Sequence, residues 1–479
     1  MTEHYPSLVA GLTDSSNKKT ITSPYDESVI GTVSTVDVTG VEHAMSTAYS
    51  IYRNRKRWLP VSKRIEILEN TAKIMRSRFD ELALEAAREG GKPLTDSMVE
   101  VNRAIEGVAN CVECIHNNAG KAIPMGINSA SKGHLAFTTK EPIGVVVAIS
   151  AFNHPLNLIV HQVCPAIAAG CPFIVKPAGK TPITCMRFIK LLHEAGLPPE
   201  YGQAMVTDNN VTATKLVTDE RVGFFSFIGS AEVGWTLKSK LAPGVRCALE
   251  HGGVAPVIVE ADTDLDEAVP LLAKGGFYHA GQVCVSVQRV FADSSIARDL
   301  AERLAEQGKA MKIGDPTDKE TEIGPLISEH EVKRVDKWVK QALTDGAELI
   351  CGGSKLQNNT YEATVLLNPP ADTTISTKEV FGPVICVYSY DDMGQAIAQA
   401  NSLMFSFQAA VFTKDIDKAL YAYKNLDAAA VMVNNHTAFR VDWMPFAGLK
   451  HSGYGTGGIP YTFKEMQVEK LMVIRSSSI

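Results

Sequence analysis

The sequence has little excess of charge of either sign, with 47 Lys and Arg against 53 Asp and Glu. A net charge of −6 argues against a nucleic-acid partner. No stretch approaches the roughly 18 uninterrupted apolar residues of a transmembrane helix. Residues 1–6 show neither the apolar core of a signal peptide nor an Arg-rich presequence. We therefore expect a cytoplasmic protein without a membrane partner.

A disulfide framework and a metal site are also not expected. The nine cysteines are an odd number scattered through 479 residues, which is typical of reduced thiols. Cys111 and Cys114 have the spacing of a redox motif, but neither a second cysteine pair nor a histidine cluster accompanies them. The chain also lacks internal repeats and low-complexity linkers. Its 45% hydrophobic content suffices for a large core, and at ~150 residues per domain the length predicts about three units.

Strand and helix patterns alternate through most of the chain, which is the signature of parallel β-sheets. Short strands are predicted between residues 20 and 39, helices from 41 to 118, and an exposed strand at 134–139. The following strands are predicted at 145–149, 172–176, 222–227, 257–259 and 286–292, and the helices at 157–169, 181–195, 265–280, 298–311 and 329–346, with another helix from Ala231. Further strands are expected between 347 and 435. Two α/β lobes that share one cleft are the simplest arrangement.

A cysteine lies at the junction between the predicted 265–280 helix and the 286–292 strand. Cys284 follows Gly281 by three residues, which makes it more accessible than a cysteine inside a periodic segment. The thiolate is the reactive form, so a nucleophilic role requires a base or a positive field nearby. The alternative is that Cys284 is a small buried apolar residue, as most free cysteines are.

Two further polar residues follow apolar runs. Glu250 precedes Gly252 and Gly253, and a carboxylate in such a place can have a raised pKa and act as a general base. Asn153 stands just beyond the predicted 145–149 strand, where its NH₂ group could polarise a carbonyl oxygen. Taken singly, each is more often structural than catalytic.

The segment Gly229-Ser230-Ala231-Glu232-Val233-Gly234 opens a helix directly after a strand. Backbone N–H groups at such a helix start can hold a pyrophosphate. The segment carries only part of the G-x-G-x-x-G pattern, so an ordinary turn between strand and helix is the alternative. Lys176, at the end of a strand, could contact a ribose or a phosphate, or could be a solvated lysine.

Asn153, Glu250 and Cys284, with the last two 34 residues apart, together resemble the aldehyde dehydrogenase superfamily. The segments Glu379-Val380-Phe381-Gly382-Pro383-Val384 and Pro445-Phe446-Ala447-Gly448-Leu449-Lys450-His451-Ser452-Gly453 carry the same resemblance. It runs in collinear order through essentially the whole chain. The loop from Asn434 to Met444 resembles that of the bacterial branch that contains phosphonoacetaldehyde, sulfoacetaldehyde and lactaldehyde dehydrogenases.

The resemblance implies an α/β fold with three parts. These are a Rossmann-like cofactor-binding domain (1–118 and 142–253), an α/β catalytic domain (254–450) and a small β oligomerisation domain made of 119–141 and 463–479. A homodimer or homotetramer is implied as well.

By the same resemblance, Cys284 is the nucleophile that adds to the aldehyde to give a thiohemiacetal. The side-chain amide of Asn153 and the backbone N–H of Cys284 would hold its oxyanion. Hydride transfer to the nicotinamide would leave a thioester, which a water molecule activated by Glu250 would hydrolyse to the carboxylate.

The cofactor implied is NAD or NADP. Glu379 would hold the nicotinamide ribose, Phe381 would pack against the nicotinamide, and Lys176 would contact the adenosine ribose. The other expected cofactor-binding residues are Ile149, Ala151, Phe152, Ala178, Gly179, Lys180, Gly229, Ser230 and Val233. Members that prefer NAD usually have a glutamate at the position of Gly179. Its loss removes repulsion against a 2′-phosphate, so we expect NADP to be accepted.

The substrate pocket is expected to involve the loop before Pro445. Arg440 in this loop could bind an anionic head group, or it could pair with Asp442 and hold the loop. Arg103 and His154 raise the same question. Val283 stands where some enzymes for phosphorylated aldehydes have arginine, so their anion site is not carried over.

The expected reaction is oxidation of a small, anionic aldehyde such as phosphonoacetaldehyde or sulfoacetaldehyde. Lactaldehyde, succinic semialdehyde and glyceraldehyde 3-phosphate, the last without phosphorylation, are alternatives. A coenzyme-A-acylating dehydrogenase is disfavoured because that branch usually lacks a glutamate at the position of Glu250. A non-enzymatic binding protein is disfavoured because Cys284, Glu250 and Asn153 are all present.

Overall fold

The computed structural model describes residues 3–478. Its strands are β1 (Glu3–Tyr5), β2 (Lys18–Thr22), β3 (Val29–Val36), β4 (Ala122–Ile123), β5 (His134–Pro142), β6 (Val145–Ile149), β7 (Phe173–Lys176), β8 (Gly202–Ala204), β9 (Val206–Thr207), β10 (Val222–Ile228), β11 (Arg246–Glu250), β12 (Pro256–Val259), β13 (Arg289–Asp293), β14 (Glu348–Cys351), β15 (Thr364–Leu367), β16 (Val384–Tyr390), β17 (Phe405–Ser406), β18 (Gln408–Phe412), β19 (Ala430–Val433), β20 (Leu449–Lys450), β21 (Gly453–Tyr454) and β22 (Gln467–Arg475).

The helices are α1 (Val38–Arg53), α2 (Val61–Ser77), α3 (Phe79–Gly90), α4 (Leu94–His116), α5 (Asn157–Ala169), α6 (Pro182–Glu194), α7 (Asn210–Val217), α8 (Ala231–Lys238), α9 (Leu265–Phe277), α10 (Ala297–Ala310), α11 (Glu329–Thr344), α12 (Thr374–Thr377), α13 (Met393–Ala400), α14 (Ile416–Asn425) and α15 (Ile459–Glu465). Short 3₁₀ turns cover Arg55–Arg57 and Tyr278–Gly281. In this part of the chain, no helix is both long and apolar enough to cross a membrane.

A six-stranded sheet has the strand order β21-β11-β10-β6-β7-β8, in which all neighbours are parallel except β21. Its central strands read as apolar runs because helices cover both faces. All five residues of β6 and all thirteen of α5 are buried. The predicted strand–helix alternation and its parallel sheet are therefore confirmed.

A seven-stranded sheet has the order β14-β15-β16-β13-β12-β18-β19, and only β14 is antiparallel to its neighbour. It carries its own core, in which α9, α10 and α11 contribute buried residues. A separate three-stranded antiparallel sheet, β22-β5-β4, joins two segments that are far apart in sequence. The two large sheets with separate cores correspond to the two α/β lobes expected from the sequence.

The predicted 265–280 helix is too long, and the predicted 286–292 strand begins too early. Helix α9 ends at Phe277, because His279 and Ala280 have left-handed backbone angles (φ 48° and 53°) that no α-helix accommodates. The strand starts only at Arg289, since the Val287 N–H donates to the carbonyl of Gly275 at 3.0 Å. The segment around the candidate nucleophile is thus held against the end of a helix.

Candidate active site

A cavity of about 760 Å³ is lined by residues that follow strands of both large sheets. Fifteen of the eighteen predicted site residues line it, namely Arg103, Ile149, Ala151, Phe152, Asn153, His154, Ala178, Gly229, Ser230, Val233, Glu250, Cys284, Glu379, Phe381 and Arg440. Lys176, Gly179 and Lys180 lie outside its lining, on the turn that also carries Ala178.

The topology explains where the cavity lies. Chain order runs from β6 outward through β7 and β8 on one side, and returns through β10 and β11 on the other. Loops after β6 and β10 therefore diverge and leave a crevice at the carboxyl ends of these strands, where open α/β sheets bind ligands. Ile149 ends β6, and Gly229 follows β10, and both line the cavity.

Cys284 faces this cavity and is half-buried. Burial raises the pKa of its thiol to about 12, with Glu379 and Glu250 adding to the effect and the positive Arg440 opposing it. The resting side chain is therefore a neutral thiol rather than a preformed thiolate. Nucleophilic attack from this position requires a base to take the proton.

Glu250 ends β11 and contributes a carboxylate to the same cavity. Burial raises its pKa, and only Arg440 opposes that rise. A carboxylate with a raised pKa suits general-base catalysis near neutral pH. Gly457 is packed against it, since a Cβ at that glycine would lie 2.0 Å from Glu250 Oε1.

Asn153 is buried and its Nδ2 donates a hydrogen bond to the carbonyl oxygen of Gln282 at 2.9 Å. This contact holds the Asn153 side-chain amide against the backbone of Gln282, which is two residues before Cys284. A side-chain amide has two N–H groups, and among the described residues the second one has no acceptor. Asn153 can therefore donate to an oxygen that develops negative charge beside the thiol.

The residues at one end of the cavity fit a nicotinamide ribose. Glu379 Oε1 is buried and has no hydrogen-bond partner within residues 3–478, so it is an acceptor suited to a ribose hydroxyl. Burial raises the Glu379 pKa to about 8. Gly252 is needed beside it, because a Cβ there would lie 1.7 Å from the same oxygen. Phe381 packs edge-on against Phe152 with 5.9 Å between ring centroids.

Further along, α8 begins at the cavity wall after Gly229 and Ser230. The Ser230 side chain makes no capping bond to the helix, so N–H groups of the first turn can face a phosphate. Gly234 allows α8 to approach closely, since a Cβ there would lie 2.0 Å from His251 Cε1. These features fit a dinucleotide, whose nicotinamide would supply hydride acceptance in this cavity.

Arg440 lies on the cavity wall near Cys284 and Glu250. Its guanidinium carbon is 3.5 Å from the centroid of the Phe446 ring, and one Nη is 3.4 Å from His161 Nδ1. Its Nε is buried and unpartnered, and no carboxylate of the described residues lies within 4.0 Å of it. The suggested pairing of Arg440 with Asp442 is thus wrong.

Asp442 binds other residues instead, and sequence analysis did not reveal most of them. Its carboxylate accepts from Arg103 Nη2 at 2.7 Å and Arg103 Nε at 3.1 Å, from His161 at 2.7 Å, and from Asn157 at 3.2 Å. Burial opposes its ionisation, but the His161 and Arg103 contacts hold the pKa of Asp442 well below its usual range. Arg103 is therefore ion-paired, whereas Arg440 forms no ion pair among the described residues, although the charges of Glu250 and Asp442 act on it.

His154 is buried beside Tyr278, with 3.1 Å between Nε2 and the phenolic oxygen. Burial and the nearby Lys92 lower the pKa of His154 well below its usual range, so the imidazole is neutral. It can orient a ligand by hydrogen bonding but supplies no positive charge at neutral pH.

Comparison with known proteins agrees with this geometry. A profile of the aldehyde dehydrogenase family matches residues 12–472. The 3-sulfolactaldehyde dehydrogenase of Priestia aryabhattai is 34% identical over 95% of both chains. The lactaldehyde dehydrogenase of Methanocaldococcus jannaschii is 35% identical over 95% of this chain and 96% of its own.

Two solved structures are similar over nearly their whole lengths. Aldehyde dehydrogenase 21 from Physcomitrella patens, in complex with the reaction product succinate, has a TM-score of 0.95 and 32% identity, and covers 100% of this chain and 99% of its own. Glyceraldehyde-3-phosphate dehydrogenase GapN from Methanocaldococcus jannaschii, complexed with NADP, has a TM-score of 0.91 and 34% identity. It covers 96% of this chain and 100% of its own. The chain therefore belongs to the aldehyde dehydrogenase family, and it is an NAD(P)-dependent oxidoreductase.

Proposed function

We propose that this enzyme oxidises a small aldehyde with an anionic head group to the carboxylate, and that Arg440 binds that head group. The observation that carries the proposal is the state of Arg440, a guanidinium on the cavity wall without a carboxylate partner among the described residues. An unpaired cation in a mostly apolar cavity attracts an anion more strongly than it would in water.

The geometry of Arg440 suits a planar or tetrahedral oxyanion. Stacking on Phe446 fixes the plane of the guanidinium, and His161 contacts only one of its nitrogens. The remaining N–H donors form a fork that matches carboxylate, sulfonate or phosphonate oxygens. His161 donates to Asp442 through Nε2, which leaves the Nδ1 lone pair directed at Arg440. Asp442 therefore positions Arg440 through His161 and forms no direct ion pair with it.

The relatives support this class of substrate. A sulfolactaldehyde, a succinate product and a glyceraldehyde phosphate all carry a charged group at a distance from the reacting carbon. Lactaldehyde is neutral, and it is the main alternative for this chain. Succinic semialdehyde and glyceraldehyde 3-phosphate fall within the proposed class.

In the proposed reaction, the Cys284 thiol releases its proton to solvent water, and its sulfur bonds to the aldehyde carbon, giving a thiohemiacetal. The Asn153 amide and the Cys284 backbone N–H hold the oxygen that becomes negative. A nicotinamide held beside Glu379 and Phe381 would supply the hydride acceptor that the two-electron oxidation of this carbon requires. Glu250 then takes a proton from water, whose oxygen displaces the Cys284 sulfur and releases the carboxylic acid.

The position of Glu250 supports hydrolysis rather than transfer to coenzyme A. A general base on the cavity wall would deliver water to any thioester formed on Cys284. An acylating enzyme would lose its product by that route, so we place this function second.

The cofactor is proposed to lie along the β6–β10 crevice. Glu379 and Phe381 would contact its nicotinamide half, and Gly229, Ser230 and Val233 its pyrophosphate and adenine. Ile149, Ala151, Phe152 and Ala178 would complete the wall, with Lys176, Gly179 and Lys180 at the adenosine ribose. In this scheme residues 1–118 and 142–253 bind the cofactor, 254–450 supply the nucleophile, and 119–141 with 463–479 assemble a homodimer or homotetramer.

The test compares matched substrates in wild-type enzyme and in Arg440→Ala. Succinic semialdehyde and butanal have the same number of carbons but differ in charge. If Arg440 binds the head group, kcat/KM for the anion should fall by a factor that corresponds to a loss of about 2–4 kcal/mol in transition-state stabilisation. The loss for butanal should be smaller, and it should reflect only the effect of Arg440 on Cys284.

Arg57→Ala is the matched control, because Arg57 is an exposed arginine that lies 3.7 Å from Glu200. It should leave both rates unchanged. Equal losses for both substrates in Arg440→Ala would contradict head-group binding. A wild-type enzyme that prefers butanal or lactaldehyde to every anionic aldehyde tested would contradict the substrate class.

A further inference from the structure

Three lysines converge on the turn that follows β7. Lys176 ends the strand and Lys180 lies in the turn. Lys19 reaches the turn from β2, and its Nζ donates a hydrogen bond to the carbonyl oxygen of Gly179 at 2.7 Å. Lys19 and Gly179 are 160 residues apart, so no local pattern in the sequence links them. The N-terminal strands thus supply a positive charge to this turn.

The lysines repel one another. Burial lowers the pKa of Lys176 and the positive charge of Lys19 lowers it further. Burial and the charge of Lys180 act on Lys19 in the same way. Within residues 3–478, none of the three forms an ion pair with a carboxylate at 4.0 Å or less. Such a cluster is unfavourable alone and becomes favourable when an anion binds.

The carboxylate of Glu89 does not neutralise the cluster. Glu89 lines a small cavity together with Lys180, but its oxygens accept hydrogen bonds from the backbone N–H groups of Ile183 and Thr184 and from the Thr184 hydroxyl. Burial raises its pKa to about 7. Glu89 therefore accepts hydrogen bonds from the first turn of α6 rather than pairing with the lysines, and the lysines remain open to an external anion.

The turn lies at the edge of the large cavity. Lys176 is paired with Ile149 across β7 and β6, and Ala178 lines the cavity together with Ile149 and Ser230. A Cβ at Gly179 would lie 2.9 Å from Lys19 Nζ and would meet no other atom within 4 Å. The absence of a side chain at Gly179 leaves the Lys19 ammonium uncovered on the side of the turn.

We propose that Lys19 is a specificity-determining residue for the cofactor, which acts with Lys176 and Lys180 to bind the phosphate on the adenosine ribose of NADP. NAD lacks this phosphate. The inference rests on the proposed cofactor site. A lysine that only braced the turn would affect both cofactors equally, whereas a phosphate-binding lysine affects NADP alone.

The test is a fluorescence titration of the full-length enzyme with NADPH and NADH, without turnover. Lys19→Met removes the charge at similar length and should weaken NADPH binding about ten- to a hundredfold, as expected for a charge-assisted contact. NADH binding should change less than about twofold, since it lacks the phosphate. Lys18→Met is the control, because the neighbouring side chain points to the other face of β2 and should change neither constant.

Equal weakening of both cofactors by Lys19→Met would overturn the proposal, and so would unchanged NADPH binding. Restoration of NADPH binding in Lys19→Arg would support it. Gly179→Glu offers an independent check, because its carboxylate would pair with Lys19 and should weaken NADPH selectively. A wild-type protein that bound neither cofactor would refute the proposed cofactor site itself, and that failure is visible without any mutation.

Discussion

At the scale of single residues, the surroundings of the proposed nucleophile Cys284 and of the proposed general base Glu250 favour the neutral form of each group. Burial raises the pKa of the Cys284 thiol to about 12 and also raises that of Glu250. Arg440 opposes both shifts, so it is the charge that can stabilise a thiolate once the proton has left. The site therefore combines a neutral resting thiol with a separate base for the water step.

Alkylation by iodoacetamide should reveal this resting state. Only the thiolate reacts, and below its pKa the thiolate fraction rises about tenfold per pH unit. The Cys284 rate should therefore rise without a plateau between about pH 7 and 9, the range below a pKa of about 12. Arg440→Gln should slow the reaction at each pH, because removing the opposing cation raises the pKa further. Labelling of Cys284→Ala measures the background, and a plateau near pH 7 would contradict a neutral resting thiol.

Glu250→Gln should separate the two halves of the reaction. The amide keeps the size of the side chain but cannot take a proton from water, so thioester hydrolysis should slow more than hydride transfer. Rapid mixing should show a burst of reduced cofactor close to one per site, followed by slow turnover. Loss of the burst with an unchanged steady rate would contradict this role.

Gly457→Ala provides a second view of the same carboxylate. The added Cβ would lie 2.0 Å from Glu250 Oε1 and would displace it. We expect a weaker form of the Glu250→Gln phenotype, with slowed steady turnover and retained cofactor binding.

Local sequence patterns alone left Cys284, Glu250 and Asn153 ambiguous, and it was the family resemblance that linked them. The structure brings all three to one cavity. The contacts of Asp442 with Arg103 and His161 join residues 339 and 281 positions apart. Only the folded chain brings these residues together, so the sequence could not predict that Asp442 pairs with Arg103 rather than with Arg440.

At the scale of elements, apolar periodicity predicted most helices and strands because burial on one or both faces dictates it. The prediction of α5 at 157–169 matches the structure residue for residue. Periodicity failed between 278 and 288, where left-handed residues and the Val287–Gly275 hydrogen bond override an apolar run. The element boundaries were therefore wrong beside the nucleophile, where tertiary contacts set the backbone.

Helix α5 leads from the Asn153 loop to His161, and a residue of α4 fixes its start. Glu100 Oε1 accepts from the N–H groups of Leu156 and Asn157, both at 2.9 Å, and its other oxygen pairs with Lys92 at 2.5 Å. Both members of this pair are completely buried. This arrangement ties α4, α5 and the loop before α4 together behind the cavity.

Glu100→Ala should lower the free energy of unfolding by about 3–5 kcal/mol, because it leaves a buried lysine without its partner. Chemical denaturation measures the change. Combining it with Lys92→Met should restore part of the lost unfolding free energy, because no unpaired lysine charge is then buried. Glu66→Ala, which breaks the exposed Lys63–Glu66 pair, is the control and should cost less than about 1 kcal/mol. A loss of that small size in Glu100→Ala would contradict the structural role.

At the scale of the whole molecule, one cavity receives residues from both large sheets, and this explains why resemblance over the full chain was more informative than any single motif.

A separate feature is the β22-β5-β4 sheet, in which β22 is an edge strand. Leu471, Met472 and Val473 on β22 are each about half exposed, at 54%, 52% and 49%. An exposed edge strand of this kind, apolar from Leu471 to Ile474, is a template for pairing with another chain.

We expect this edge to hold the proposed homo-oligomer together. Leu471 and Val473 project to one face of β22, so changing both to Asp places two charges in the same contact. Sedimentation velocity should then show dissociation toward the 51.8 kDa monomer, while the melting profile of the isolated subunit and its cofactor binding persist. Val211→Asp is the matched control, since Val211 on α7 is 76% exposed and lies outside this sheet. A wild-type protein that sediments as a monomer at all concentrations, or a double variant that keeps its assembled mass, would show that β22 is not the interface.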